Sequence, residues 1–247
     1  MTQIRSPQLY ARVAGVLYLV EIALAFAVNP MWSKLLGAGG VSVTATQIAA
    51  PLSPWRLAFA GELLTYVCYV AIAAIFYALL RPVNPILALL SAFFMLAHSA
   101  IGAASALGRL AALLLLSGSP DLAAIGSRQL HAMASLALDL HNDGHDVGLV
   151  FFAAHCIVLG YLIYRSGYLP RTFGVLFPIA ALCLLTSIAT GLLTPAINAV
   201  IFPAIVLPLF LVQLSFALWL TAVGVNLRKW PSGLDDAPAA RSAPEND

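Results

Sequence analysis

The chain has 247 residues, of which 62% are hydrophobic and 9% charged, with a formal net charge of +2. A water-soluble domain carries about 45–50% apolar and about 25% charged residues, so this composition excludes a soluble globular body and identifies an integral membrane protein. No basic cluster points to nucleic acid. The three cysteines, Cys68, Cys156 and Cys183, each stand alone in an apolar segment, which indicates neither a disulfide framework nor a thiolate metal site.

A bilayer-crossing helix needs about 20 largely apolar residues. Read in chain order, that length predicts an all-α membrane protein with six transmembrane helices at 11–29, 57–80, 85–117, 143–164, 172–194 and 199–225. The first follows Arg5 and ends in ALAFA, like a signal peptide, but Glu21 inside the run and the spans beyond it favour a retained helix. NPMWSKLLGAGGVSVTATQIAAPLSPW (Asn29 to Trp55) is expected as a long external segment, with Trp32 and Trp55 at the membrane interface. RPVNP (Arg81 to Pro85) and RSGYLPR (Arg165 to Arg171) read as tight cytoplasmic turns. Leu122 to Asn142, containing SRQLHAMASLALDL, is expected as an external interfacial helix before the fourth span. The six-helix domain takes up residues 1–230, and the tail 231–247 lacks the apolar content to fold and is expected to be a disordered cytoplasmic segment.

Positive charge sets sidedness. Arg5, Arg12, Arg81, Arg165, Arg171, Arg228, Lys229 and Arg241 fall on one side, and Lys34, Arg56 and Arg128 on the other. Both termini are therefore expected in the cytoplasm of a bacterial-type cell, with the protein in the inner membrane. One internal echo, RVAGVLY (Arg12 to Tyr18) and RTFGVLF (Arg171 to Phe177), reads as two similar helix starts, each with a small residue for packing.

Ionisable residues inside spans are expensive and normally face the bundle interior. The predicted topology puts Glu21, Glu62 and Arg109 in the outer half of the bilayer, level with a charged stretch, LDLHNDGHDVGLVFFAAHC (Leu138 to Cys156). On a continuous helix, His141, His145, Gly148, Phe152 and His155 form one stripe, while Asp139, Asp143 and Asp146 form another nearly opposite. Asn142, Asp143 and Gly144 offer a break between an interfacial helix and the fourth span. The HxxxH spacing of His141 and His145 can present two imidazoles to one metal, but it lacks the glutamate of HExxH, and neither metal nor cofactor is expected. His98 and His155 read as packing residues with one hydrogen bond each.

This charge pattern is expected to serve a membrane-embedded acid/base enzyme acting on a lipid-like or isoprenoid substrate. Glu62, Asp139 and His141 would transfer protons, Arg109 would act as an electrostatic clamp, and Glu21, Arg109 and His145 would bind substrate. The expected partners are membrane lipids and a hydrophobic small molecule. A small proton-coupled or solute carrier using the same residues is the alternative. A third reading is a non-catalytic assembly protein whose acids and arginine pair only to fix helix register.

DLHNDGHDVGLVFFAAHCIVLGYLIYRSGYLPRTFG (Asp139 to Gly174), with ARVAGVLYL, YALLRPVNPILALLSAFF and LSFALWL, resembles a bacterial membrane family called domain of unknown function 4386. The likeness runs from about Ala11 to Asn226 and includes Asp139, His141, Gly144, Gly148, His155, Arg165, Pro170 and Arg171. It implies six helices and brings no activity with it.

Overall fold

In a computed structural model, residues 6–36, 53–116, 122 and 124–231 are described. They form α1 (Pro7–Leu36), α2 (Pro54–Leu80), α3 (Pro85–Leu115), α4 (Ser127–Ser166), α5 (Arg171–Leu193), α6 (Pro195–Ala222) and a 3-10 turn at Leu227–Lys229. All six α-helices are long and apolar enough to cross a membrane, α6 through its Ala204–Ala222 portion. The protein is an all-helical, multi-pass membrane protein.

Local chemistry places the helix ends. Proline opens α2, α3 and α6, at positions where its missing N–H has no helical acceptor to lose. Asn84 caps α3, its side-chain oxygen accepting from the Leu87 amide at 3.0 Å. α4 stops on Gly167, whose φ of 72° lies in the left-handed region that a Cβ disfavours.

Each helix packs on its neighbours in sequence, and α6 closes onto α1, giving a ring. Four-residue connections join α2 to α3 and α4 to α5, and Thr194 alone joins α5 to α6. Connections this short force antiparallel neighbours. Inside the ring, the fully buried Phe216 of α6 meets Phe76, Phe173 and Phe177 at centroid distances of 5.9, 4.9 and 5.3 Å. The outer surface is apolar as well: Ile86, Leu192 and Val200 are 76, 82 and 81% exposed. A surface of that kind suits hydrocarbon rather than water.

The structure corrects three expectations. No break occurs at Asn142–Gly144, because α4 runs unbroken through all 40 residues from Ser127 to Ser166, so residues 127–142 are continuous with the fourth span. A glycine costs a helix only about 1 kcal/mol, and here Gly144 is needed bare: a Cβ would overlap the Ser105 side chain of α3. At 1.5 Å per residue α4 spans about 60 Å, roughly twice the hydrocarbon thickness, so its charged N-terminal half has room to extend past the bilayer core. Second, Asn29–Leu36 belongs to α1 rather than to an external loop. Third, Trp32 is buried within the bundle rather than presented on its outer surface. Within the echo, Gly15 and Gly174 both sit at tight helix contacts, against Thr221 and Tyr164 respectively. The expectation for the tail falls, beyond Pro231, outside the described residues.

Candidate functional site

The ring brings polar side chains to its interior at three levels. At the first, Arg109 Nη1 of α3 donates to Glu62 Oε1 of α2 at 3.0 Å, with the side chains 20 and 9% exposed. The Arg109 guanidinium lies 5.3 Å from the centre of the Trp32 ring of α1, a cation–π contact that adds to its anchoring. His141 of α4 closes this level from the fourth helix. Its Nδ1 donates to the Ser105 carbonyl at 2.8 Å. Because a carbonyl can only accept, Nδ1 carries a proton and Nε2 is left for another partner. The His145 ring stacks on His141 with centroids 6.2 Å apart. α3 and α4 come close enough for this because Gly108 faces the Ala137 carbonyl and His141.

Two turns along α2 from Glu62, about 10 Å, is the second level. There the Tyr69 hydroxyl donates to Glu21 Oε1 of α1 at 2.5 Å. Tyr69 and Tyr66 also meet His98 of α3 edge to face, at 5.3 and 6.1 Å. His98 rests on Phe152 of α4 at 5.0 Å.

The third level is deeper still. His155 Nδ1 of α4 sits 2.9 Å from both the carbonyl and the hydroxyl oxygens of Ser91. The carbonyl again fixes the proton on Nδ1. Among the described residues, Glu21 Oε2, Glu62 Oε2 and His155 Nε2 are buried with no hydrogen-bond partner. A polar atom left so in an apolar interior costs free energy, and each of the three levels retains at least one, with Trp32 Nε1 joining Glu62 Oε2 at the first and His98 Nδ1 joining Glu21 Oε2 at the second.

The expected site residues therefore divide. Glu62, Arg109, His141 and His145 meet at one level. Glu21 is buried but pairs with Tyr69 a level deeper, not with Arg109. Asp139 is not brought to the site: it is exposed, as are Asp143 and Asp146. Asp139 and His141 are two positions apart, which is about 200° around the helix, so burial of the histidine stripe turns the aspartate stripe outward.

Sequence reasoning missed Tyr66, Tyr69, Trp32 and Ser91. Tyr66 and Tyr69 had a readable signal, since they follow Glu62 by four and seven residues on one helix face. Trp32 and Ser91 had none, because their roles depend on which helices neighbour them.

Such a fold and interior define a multi-pass helical membrane protein with buried acid and base groups drawn from four helices. By family, the chain belongs to domain of unknown function DUF4386, whose model matches residues 13–224 and so takes in every group at all three levels. It is also similar to an uncharacterized protein of Archaeoglobus fulgidus, 27% identical over 141 residues that cover 57% of this chain and 71% of that protein. No solved structure matches the chain.

Proposed function

We propose that this protein is a small proton-coupled carrier, with the buried acid and base groups forming its proton path. The observation that carries this reading is the distribution of those groups: Glu62, then Tyr69 with Glu21, then His155, at successive depths in the ring, each level holding an unpartnered polar atom. Catalysis concentrates its groups around one reacting centre, whereas a relay spaces them along the route. The orientation belongs to the proposal. Arg12, Arg81, Arg165, Arg171, Arg228 and Lys229 gather at the end where α1 begins and α6 ends, and the charge rule assigns that end to the cytoplasm and the protein to an inner membrane.

The test is proton flux into proteoliposomes holding a pH-sensitive dye. A pH gradient is imposed alone and with external organic acids, amines or amino acids. The expected result is flux above empty vesicles in at least one condition, lowered at least about tenfold by Glu21→Gln, a change of about 1.4 kcal/mol or more. Flux equal to empty vesicles throughout, or equal in Glu21→Gln, overturns the reading.

A membrane-embedded acid/base enzyme keeps one observation in its favour. Arg109 and His145 are only partly buried at the first level, where a charged headgroup can reach Glu62 and His141. That reading expects a shifted mass in the lipid extract of overexpressing cells, abolished by Glu62→Gln.

A further inference from the structure

The end of the ring opposite Arg109 holds a cavity of about 670 Å³, within the range of small-ligand sites. Its walls include Tyr168, Arg171, Trp219, Gly224, Asn226 and Lys229, from the α4–α5 turn, the end of α6 and the segment after it. Hydrogen bonds between segments distant in sequence fix those walls. The Asn226 amide donates to the Tyr168 carbonyl at 2.9 Å, and the Tyr168 hydroxyl donates to the Leu79 carbonyl at 2.6 Å. Gln8 bridges the same segment, its Nε2 donating to the Val223 carbonyl at 2.6 Å and its Oε1 accepting from the Val225 amide at 3.0 Å. Tyr168 packs against Trp230 with ring centroids 4.8 Å apart and the planes tilted by 58°. Such a cavity is built before its occupant arrives, which lowers the ordering cost of binding.

Among the described residues, the charges at this end of the ring have one sign. Arg171 and Lys229 line the cavity, with Arg12, Arg81, Arg165 and Arg228 on the same end of the ring. The carboxylates among the described residues (Glu21, Glu62, Asp139, Asp143 and Asp146) lie in mid-bundle or toward the other end. Guanidinium and ammonium groups at one rim call for an anion, and a phosphate suits them. What favours a lipid over free phosphate is the opening of the cavity. Val223 lines it and is itself 50% exposed, and Leu218, Val175 and Leu176 on the adjoining ends of α6 and α5 are exposed too. Trp219, on the same rim, is of the residue type that settles at headgroup depth.

We infer that this cavity binds the phosphate headgroup of an anionic phospholipid, with Arg171 and Lys229 on the phosphate and the acyl chains lying along the apolar faces of α5 and α6. This site is separate from the proton path and stands or falls independently of it. The test titrates the full-length protein in neutral detergent with phosphatidylglycerol, with phosphatidylcholine and with inorganic phosphate, reading the shift in unfolding temperature. Phosphatidylglycerol is expected to give a saturable rise and phosphatidylcholine little. Removing both cations in R171Q/K229Q is expected to weaken the apparent affinity about fivefold for each. The control R56Q/R128Q, at the other end, is expected to respond as the native chain does. Both variants alter exposed side chains, and their unperturbed unfolding temperature without lipid verifies that they fold. An equal response to phosphatidylcholine, or a full response in R171Q/K229Q, overturns the inference. So does a rise with millimolar phosphate alone that matches the lipid, which would make free phosphate the ligand.

Discussion

Arg109 and Glu62 form a 3.0 Å ion pair between α3 and α2, with the guanidinium seated on the Trp32 ring of α1. Three helices are thereby tied at one point. Pairing makes a charged group tolerable in an apolar interior, and removing one partner leaves the other uncompensated. Glu62→Gln alone is expected to destabilise the protein by roughly 2 kcal/mol, between the limits for exposed and buried pairs. Replacing both residues with leucine is expected to recover most of that loss. Thermal unfolding of Glu62→Leu, Arg109→Leu and the double leucine variant measures the coupling. A double variant as unstable as the sum of the singles would show that the pair contributes nothing.

Gly108 sets the distance between α3 and α4. A Cβ there would lie 2.5 Å from the Ala137 carbonyl oxygen and 2.9 Å from the His141 Cβ, and backbone cannot move aside cheaply. Gly108→Val is expected to cost about 1–3 kcal/mol through overpacking. Ala104→Val, at an exposed position one turn earlier, is expected to stay within about 0.5 kcal/mol. Unfolding temperatures in one detergent compare the two.

The histidine and aspartate stripes of α4 make opposite predictions about access. Single cysteines at Asp139, Asp143 and His141 can be placed in a chain whose own Cys68, Cys156 and Cys183 are serines or alanines. A water-soluble maleimide is expected to label the first two positions fast and the His141 position at least about tenfold slower, because closed packing lowers the population of reactive openings. Equal rates would mean that the helix is rotated from the arrangement described.

Tyr168 lies in the turn between α4 and α5, and burial pushes its phenol up from the ordinary 10.0. The folded state therefore holds the proton to higher pH than the unfolded state does. Stability from this group is complete below pH about 10 and falls as pH rises beyond it, since the unfolded chain then releases the proton first. Unfolding temperature against pH is expected to be flat up to that point and then to decline, less steeply in Tyr168→Phe. At neutral pH the same substitution is expected to cost about 1 kcal/mol, the lost hydrogen bond to Leu79.

While the structure decided that the histidine stripe of α4 is the buried one, the sequence alone determined that the protein is helical, spans a membrane six times and carries histidine and aspartate stripes on opposite faces of α4. These follow from local quantities: apolar run length, the 3.6-residue period, and proline or glycine at helix ends. Asn84 and Gly167 mark helix ends by their own chemistry and needed no neighbour to be understood. Only the tertiary structure decided that Gly144 is a contact and not a break, because the decision rests on Ser105, a residue of another helix. It also separated Glu21 from Arg109. Their sequence depths were similar, but Tyr69 offered Glu21 a hydroxyl at 2.5 Å while Glu62 occupied the guanidinium. Depth along a helix can be counted from sequence, whereas the partner a buried charge finds depends on the rotation and adjacency of helices, which are set by packing across the whole ring.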